Sequence, residues 1–301
     1  MQLFDIDISA KETIKSFFNV RRIEASDMLF GNLYIWHFSR DIKYAIIDDC
    51  LVVLTKLPNE SYPFIFYPLG RGNRKGAILK MKEYFLDNQM PFSLRSLESY
   101  QSAELAQFFP NAFEIAPNRD RFDYIYSVED LITLGGRALH KKKNHLNRFF
   151  NLYPNFTYER VDSHNAFAVL EAYSAWFESG EKTASEKTDG LQNEMLGIKA
   201  SLENFAQLDM RGGIIRIDGK IAAFSLGEQI NADSVVIHIE KGNTFYAGIY
   251  QAINQQFLKN EWAHLRFVNR EEDLGIEGLR KAKMSYKPSR FIEKSTAILK
   301  N

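Results

Sequence analysis

Apolar and polar positions alternate from Ser234 to Glu240, and this alternation predicts a half-buried β-strand. The pattern breaks over residues 241–248. Residues 249–258 then place apolar side chains at a spacing of four, which predicts one face of an amphipathic helix. Residues 262–268 predict a second strand, and residues 269–286 follow, dense in charge and glycine. In such a strand–turn–helix–strand order, the free N–H groups at the start of the helix can bind an anion.

The first half of the chain shows a similar succession of patterns. Asp48 and Asp49 separate two runs rich in β-branched and other apolar residues, which predicts a hairpin that turns at these residues. Residues 30–37 are rich in aromatic side chains and favour a strand. The other predicted elements are a strand at 62–70, a basic glycine-containing loop at 71–76, a helix at 77–88, a strand at 92–97, a short helix at 98–108 and a hairpin at 113–127.

The second half begins with a basic helix predicted over residues 137–152. Two longer helices are predicted at 163–178 and 190–210, and the polar residues between them, 179–190, predict a mobile surface loop. The Asp218-Gly219 pair predicts the turn of a further hairpin over residues 213–228.

Both halves therefore share an order of elements: hairpin, strand, glycine-bearing turn, helix, strand and short helix. Residue identity between them is negligible, so only the pattern repeats. We interpret this order as an α/β fold made by tandem duplication of one unit. Each unit is predicted to be a mixed β-sheet flanked by helices, with domains at 1–127 and 128–301.

Composition narrows the class of protein. The 301 residues are 45% apolar and 25% charged, as in a globular domain, and the formal net charge is zero. A neutral chain offers no whole-chain attraction to nucleic acid or membrane, although a local basic patch stays possible. The single cysteine, Cys50, excludes an internal disulfide and favours a reducing, cytoplasmic location. No apolar run approaches the ~18 residues of a membrane span, and no residue spacing predicts a metal site.

Several segments resemble a known family. They are Gly31–Trp36, Lys141–Phe149, His238–Lys241, Tyr250–Asn254 and Asn269–Tyr286, of which the last is the most specific. They are similar to soluble bacterial relatives of the phosphatidylglycerol lysyltransferase C-terminal domain. The resemblance implies two tandem units of the GNAT fold of N-acetyltransferases, as in the FemABX-like aminoacyl-tRNA-dependent transferases. It also implies an acyltransferase type of reaction, with aminoacyl-tRNA or acyl-CoA as the donor.

The turn at residues 241–248 departs from the GNAT signature for coenzyme A. That signature needs several spaced glycines around the pyrophosphate, whereas this turn has Gly242 and Gly248, separated by the bulky Phe245 and Tyr246. The departure weakens the case for acetyl-CoA, but helix N–H groups alone can still bind an anionic donor. The donor-binding candidates in this turn are Lys241, Tyr246, Ala247 and Gly248.

Acidic residues follow the second predicted strand, where open α/β sheets place their ligands. Glu271, Glu272 and Asp273 are candidate catalytic residues, because with Arg270 they can bind an ammonium group and take a proton from an attacking amine. The alternative is a set of acids placed by the dipole of the following helix. Glu240 is a further candidate base if its face of the strand lines the cleft.

Tyr286 is the last catalytic candidate. By resemblance its phenol donates a proton to the leaving group, and packing before Pro288 is the alternative. Arg270, Arg280 and Lys283 are candidates for neutralising a donor phosphate, since Arg280 and Lys283 share one helix face. Cations favoured by the C-terminal end of the helix dipole are the alternative for Arg280 and Lys283.

The predicted helix at 137–152 carries a basic face beside an apolar stripe. Such a face can bind RNA phosphates or an anionic membrane surface, and a solvated basic face is the alternative. The nucleic-acid-binding candidates are Arg137, Lys141, Lys142, Lys143 and Arg148.

Three functions stay open on the sequence. The first is transfer of an aminoacyl group from aminoacyl-tRNA to the amine or hydroxyl of a small-molecule or peptide acceptor. The second is N-acylation with a coenzyme A donor and a degenerate pyrophosphate turn. The third is a binding protein that retains the fold without the chemistry.

Overall fold

The computed structural model of the protein describes residues 1–18, 23–179 and 189–300. Residues 180–188 of the loop predicted at 179–190 lie outside the described residues. The chain forms two compact units, one of Met1–Asp123 with Ile292–Asn301 and one of Tyr124–Phe291. The domain boundary drawn from the sequence at 127/128 lies four residues from the boundary between these units. Residues 292–301, which the sequence-based division assigns to the second domain, belong to the first unit.

The first unit is built on a mixed sheet in the strand order β1-β2-β3-β4-β6-β15-β7, with β5 paired to β3. Its strands are β1 (Phe4–Asp5), β2 (Asp41–Ile47), β3 (Cys50–Lys56), β4 (Phe64–Phe66), β5 (Leu69–Gly70), β6 (Ser93–Leu97), β7 (Phe113–Pro117) and β15 (Ser295–Leu299). Its helices are α1 (Lys11–Ser16), α2 (Phe30–Trp36), α3 (Arg74–Asp87) and α4 (Ser99–Phe108). Strands β4 and β6 are parallel, and the other pairs described along the order are antiparallel.

The second unit has a seven-stranded sheet in the order β14-β8-β13-β12-β11-β10-β9. Its strands are β8 (Asp123–Ser127), β9 (Thr157–Arg160), β10 (Met210–Ile217), β11 (Lys220–Asn231), β12 (Ser234–Gly242), β13 (Phe267–Asn269) and β14 (Arg290–Ile292). Its helices are α5 (Val128–Thr133), α6 (Gly136–Leu152), α7 (Ala166–Ser179), α8 (Asp189–Glu203), α9 (Ile249–Phe257) and α10 (Glu277–Met284). Strands β12 and β13 are parallel.

The two hairpin turns predicted at Asp48-Asp49 and at Asp218-Gly219 are both confirmed. Asp48 and Asp49 have φ of 50° and 57° between β2 and β3, and Asp218 and Gly219 have φ of 49° and 77° between β10 and β11. Two successive residues with positive φ match the right-handed twist of the flanking strands. The predicted apolar stripe of α9 is also confirmed, because Ile249, Ile253 and Phe257 are all buried in the core of the second unit.

Three predicted elements are wrong. In the segment 30–37, predicted as a strand, residues 30–36 form helix α2, and six of these seven residues are buried. A short run that is buried on nearly every side shows no helical period in its sequence. The predicted hairpin at 113–127 does not form, because β7 pairs with β15 while β8 pairs with β13. The strand predicted at 262–268 is replaced in part by a π-helical turn, Leu258–Trp262, and β13 begins at Phe267.

Each unit contains the same strand–turn–helix–strand core around its parallel pair. In the first unit β4 leads through α3 to β6, and in the second β12 leads through α9 to β13. This repeat is the tandem arrangement of mixed sheets and helices that the sequence predicts. Ligands of open α/β sheets bind at the carboxyl ends of parallel strands, so the ends of β12 and β13 are where a site is expected.

Candidate active site

The ends of β12 and β13 bring Glu240 and Arg270 together. The guanidinium Nη2 of Arg270 donates to Glu240 Oε1 at 2.8 Å. The other oxygen, Glu240 Oε2, accepts from Nδ2 of Asn254 at 2.8 Å, and Asn254 is buried on α9. The strand, the helix and the following strand thus each contribute one side chain to a single polar cluster.

The guanidinium of Arg270 is only partly used by these protein contacts. Its Nη1 is buried and has no hydrogen-bond partner, while its Cζ lies 5.0 Å from the ring centre of Tyr286 and 5.8 Å from that of Tyr126. A buried donor that makes no hydrogen bond costs about 1–3 kcal/mol, and more when the group is charged. Such groups are rare in folded proteins, and a bound acceptor is one common reason for them.

Lys142 reaches the same place from α6. Its Nζ lies 4.2 Å from the ring centre of Tyr286. Burial lowers the pKa of Lys142, and the nearby charge of Arg270 lowers it further. Two cations and the single carboxylate of Glu240 therefore share this position, which leaves a local excess of positive charge for an anionic group.

Tyr286 lies at the centre of this cluster and is itself buried. Its hydroxyl accepts from Nε2 of Gln251 at 3.3 Å. Burial raises the pKa of Tyr286, so its phenol keeps its proton at neutral pH. A protonated phenol beside two cations is suited to donate a hydrogen bond or a proton.

Asp273 is an anchor of the loop after β13. It is fully buried and accepts from Nε and Nη2 of Arg280 at 2.9 and 2.8 Å, from the amide of Gly275 at 2.9 Å and from the hydroxyl of Tyr124. Burial alone would raise the pKa of Asp273, but the bonds from Arg280 and Tyr124 hold it well below its usual value. Both oxygens of Asp273 are thus engaged within the protein, and its predicted catalytic role stays a prediction.

Lys283 holds the same loop from the other side. Its Nζ donates to the backbone carbonyls of Arg270, Glu271 and Glu272 at 2.5, 3.1 and 2.6 Å. Arg280 and Lys283 do share one face of α10, as predicted, but in the structure that face binds the loop. Their predicted role toward a donor phosphate stays a prediction.

Glu271 takes part in a second buried cluster with His238 and Glu228. Nδ1 of His238 bonds Glu271 Oε1 at 2.7 Å, and Nε2 bonds Glu228 Oε1 at 2.9 Å. Burial of His238 alone would lower its pKa, but the two carboxylates raise it to about 9. The imidazole is therefore a cation at neutral pH, and its charge positions Glu271, which has a φ of 57°. Glu272, half-buried, lies next to it on the loop.

A β-bulge explains the position of His238. Leu226 pairs with Ile239 while Gly227 pairs with Ile237, so His238 is the extra residue of β12. A bulge turns a side chain away from the regular alternation of a strand. The alternation of His238 and Glu240 along the sequence could not show that His238 would bond Glu228 and Glu271.

The turn between β12 and α9 is closed by protein contacts. Lys241 Nζ pairs with Glu194 at 2.7 Å, and the ring of Tyr246 packs on Tyr153 at 5.4 Å. Four backbone N–H groups in and after the turn donate within the protein, those of residues 245, 246, 247 and 249. These four are thus used within the protein, while the role predicted for the start of α9 toward an anionic donor stays a prediction.

Gly248 joins this turn to the basic helix. Its φ is 83°, and a Cβ at this position would lie 2.5 Å from the carbonyl oxygen of His145 on α6. Both the positive φ and the close approach require glycine. Helix α6 therefore packs directly on the start of α9.

The basic candidates divide into two groups. Lys142 points to Tyr286, whereas the others are exposed on the outer face of α6: Arg137, Lys141, Lys143 and Arg148. Gly136–Leu152 contains no acidic residue, and none of these four exposed side chains pairs with a carboxylate in the described part of the chain. These exposed cations lie on the same helix as Lys142, which reaches the ring of Tyr286.

The sequence did not indicate several residues of the site. Asn254 and Tyr126 contact its charged members and Gln251 bonds Tyr286, although Gln251 and Asn254 fall within a segment that carries the family resemblance. In the described ranges no helix is long and apolar enough to cross a membrane. In the same ranges no group of three or more His, Cys, Asp or Glu residues is arranged to hold a metal ion.

Comparison with known proteins places this geometry in a family. The model of the phosphatidylglycerol lysyltransferase C-terminal family matches residues 19–298. A conserved protein of unknown function from Bacteroides thetaiotaomicron has a solved structure with 34% identity, full coverage of both chains and a TM-score of 0.89. The structure of L-PGS from Bacillus licheniformis aligns with a TM-score of 0.66 at 15% identity, over 99% of this chain and 93% of that one.

A curated relative also matches part of the chain. It is an uncharacterised protein of Mycoplasmoides gallisepticum, 24% identical over 173 residues, which are 57% of this chain. The match spans 54% of the length of that relative. The extent of the family match and the two repeated α/β units lead to one conclusion: the chain belongs to the phosphatidylglycerol lysyltransferase C-terminal family and has its acyltransferase-like fold.

Proposed function

We propose that the second unit transfers an aminoacyl group from aminoacyl-tRNA to an amine or hydroxyl acceptor, in the cytoplasm. The observation that carries the proposal is the buried Nη1 of Arg270, which makes no hydrogen bond, beside Lys142. In acyl transfer, negative charge develops on the oxygen of the reacting carbonyl. Fixed donors aimed at that oxygen lower the barrier most when they lie in a site that excludes water.

The reaction assigns a role to each member of the cluster. The acceptor nitrogen or oxygen forms a bond to the carbonyl carbon, and the ester bond to the terminal ribose breaks. Glu240 takes the proton of the acceptor, and Tyr286 gives its proton to the leaving ribose oxygen. Arg270 and Lys142 bind the carbonyl oxygen while it carries negative charge. Exchange with solvent returns Glu240 and Tyr286 to their starting states.

The basic surface of α6 supports RNA as the carrier of the acyl group. Its exposed cations, Arg137, Lys141, Lys143 and Arg148, adjoin Lys142, which reaches the reactive cluster. An RNA backbone along α6 would bring its end to Arg270. The closed turn at residues 245–249 weighs against a coenzyme A donor, because four N–H groups in and after this turn are already used.

Binding of bulk tRNA tests this proposal. We expect charged tRNA to bind more tightly than uncharged tRNA, and binding of both to weaken steeply with salt as phosphate contacts are lost. Acetyl-CoA is measured beside them. Binding of acetyl-CoA alone would replace the proposal with a coenzyme A-dependent acyltransferase, and binding of neither donor would favour a protein that keeps the fold without the chemistry.

A further inference from the structure

A groove lies at one edge of the sheet of the first unit, between strand β2 and helix α3. It is open to solvent and has a volume of about 1150 Å³. Sites for small molecules have roughly 300–1,000 Å³, so this groove has room for a larger ligand. Its walls come from the residues around β1, the end of β2 and one face of α3. All of them belong to the first unit, so the groove is no part of the candidate active site in the second unit.

Strand β2 has an open edge at this groove. Strand β3 pairs with all seven residues of β2, whereas β1 pairs on the other side only with Lys43 and Tyr44. The outer edge of residues 45–47 therefore pairs with no strand in the described part of the chain, and Ile46 and Ile47 line the groove. A free strand edge presents backbone N–H and C=O groups, to which an extended peptide can add a further strand.

The charged side chains of the groove are mainly acidic. They are the carboxylates of Asp48, Glu83 and Asp87 and one cation, Lys80. Nζ of Lys80 bonds Oδ1 of Asp48 at 2.5 Å, and this bond ties α3 to the turn after β2. Glu83 and Asp87 are both exposed and lie four residues apart, on one face of α3. Neither of these two carboxylates forms an ion pair within the described ranges of the chain.

The position of Asp87 points to a basic ligand. It is the last residue of α3, and the last turn of this helix has no basic residue. The C-terminal end of a helix carries partial negative charge, so an unpaired carboxylate there is unfavourable and a bound cation offsets it. The same acids repel nucleic acid and an anionic bilayer. They also disfavour the same groove of a second copy, because a symmetric contact would bring identical acids together.

Apolar side chains are the third feature of the groove. Met1, Phe4 and Ile46 are 59%, 40% and 49% exposed, and all three line it. Successive side chains of an extended strand point to opposite sides, so every second residue of a bound peptide can cover these three. We propose that the groove binds an extended segment of a partner protein, in which basic and apolar residues alternate, and that this segment pairs with the open edge of β2. This partner site goes beyond the proposed transfer reaction and does not depend on it.

Selection of peptides on the full chain tests this site. The probe is a phage library of random heptapeptides, and the recovered peptides should be enriched in Lys and Arg alternating with apolar residues. The affinity of the tightest of these peptides is then measured by fluorescence anisotropy. The variant Glu83→Gln with Asp87→Asn should weaken its binding about fivefold or more and flatten the salt dependence.

A matched control removes two exposed carboxylates of the same unit that do not line the groove. Glu12→Gln with Glu114→Gln makes the same change of charge and should leave the affinity for the peptide unchanged. A third variant, Ile46→Thr, keeps a β-branched residue in β2 but removes apolar surface. It should weaken binding and leave the salt dependence as it is.

Methylation of backbone nitrogens in the peptide tests the strand pairing itself. A strand at an edge bonds its neighbour through every second residue. Methylation of one alternate set of nitrogens should therefore abolish binding, and methylation of the other set should be tolerated. Recovery of no basic–apolar peptides, unaltered affinity in the Glu83→Gln, Asp87→Asn variant, equal effects of the two methylated sets, or self-association through the groove that excludes the peptide would each overturn the proposal.

Discussion

The buried pair of bonds to His238 predicts a specific dependence of stability on pH. Nδ1 and Nε2 bond Glu271 and Glu228, and the pKa of His238 is raised from its ordinary 6.5 to about 9. A group whose pKa is raised on folding stabilises the fold fully below its unfolded pKa. That contribution is lost as the pH rises through the folded pKa, here across the window from about 6.5 to about 9. At ~1.36 kcal/mol for each pKa unit, the contribution is about 3 kcal/mol.

His238→Gln removes this contribution. Glutamine still donates one hydrogen bond but carries no charge at any pH. We therefore expect the variant to be less stable than the wild type by about 3 kcal/mol at pH 6, with the difference shrinking toward zero above pH 9.

Urea unfolding at a series of pH values measures the difference. Trp36 belongs to the first unit and the other two tryptophans, Trp176 and Trp262, to the second. In a Trp36→Phe background, fluorescence therefore reports the second unit alone. A free-energy difference between wild type and variant that stays constant from pH 6 to pH 9.5 would refute the assigned charge on His238.

Three further substitutions test particular contacts. Gly248→Ala should destabilise the second unit by about 1–3 kcal/mol, because the residue has a φ of 83° and the new methyl would meet the backbone of α6. An unaltered free energy of urea unfolding would contradict this steric requirement. Asp273→Asn should lower the free energy of unfolding by about 2 kcal/mol in the same assay, because it weakens the bonds from Arg280 and Tyr124. It should also speed amide hydrogen exchange in residues 270–276. Unchanged exchange would show that other contacts hold the loop. Lys294→Met should destabilise the first unit by about 3–5 kcal/mol, because it removes the cation that pairs with the buried carboxylates of both Asp27 and Asp123 and leaves Asp27 only its longer contact with Arg121. The part of the fluorescence change that the Trp36→Phe background lacks reports this unit, and a neutral effect would contradict the pairing.

The cluster around Lys294 also predicts how the stability of the first unit falls at acidic pH. Burial of Asp27 alone would raise its pKa, but Lys294 and Arg121 hold it at about 2. A depressed pKa stabilises the fold above the unfolded value of about 3.9 and the contribution is lost as pH falls toward 2. In the Lys294→Met variant this loss should begin at higher pH, as measured by circular dichroism in an acid titration. If the variant unfolds at the same acidic pH as the wild type, Lys294 does not set the pKa of Asp27.

Short-range sequence patterns predicted the elements that a few neighbouring residues determine. Two residues at the tip of each Asp-containing hairpin determine the turn, and the four-residue spacing in α9 determines its buried face. Helix α2 escaped prediction because it is buried on nearly every side, so its sequence shows no polar face. The π-helical turn at Leu258–Trp262 was not predicted either, because its buried residue Trp262 is of a type that is common in strands.

Sequence patterns indicated the types of residue in the candidate site, but not most of the contacts among them. Glu240 and Arg270 lie together because the ends of parallel strands meet at one edge of a sheet, and Tyr286 joins them from the residues after α10. The bond between Tyr124 and Asp273 joins residues 149 positions apart, and no local pattern carries such information. Lys142 looks like one more surface cation in the sequence, and only the packing of α6 on α9 shows that it reaches Tyr286.

In the proposed reaction Arg270 and Lys142 bind the acyl end of the donor, while the exposed cations of α6 bind its RNA. The most direct measurement is the ratio of affinities for charged and uncharged tRNA in three variants. Arg270→Gln and Lys142→Met should each bring the ratio close to one and leave binding of uncharged tRNA nearly intact. A variant with Lys141→Glu and Lys143→Glu should weaken both forms equally and flatten the salt dependence. A ratio that survives Arg270→Gln in a folded protein would contradict the account.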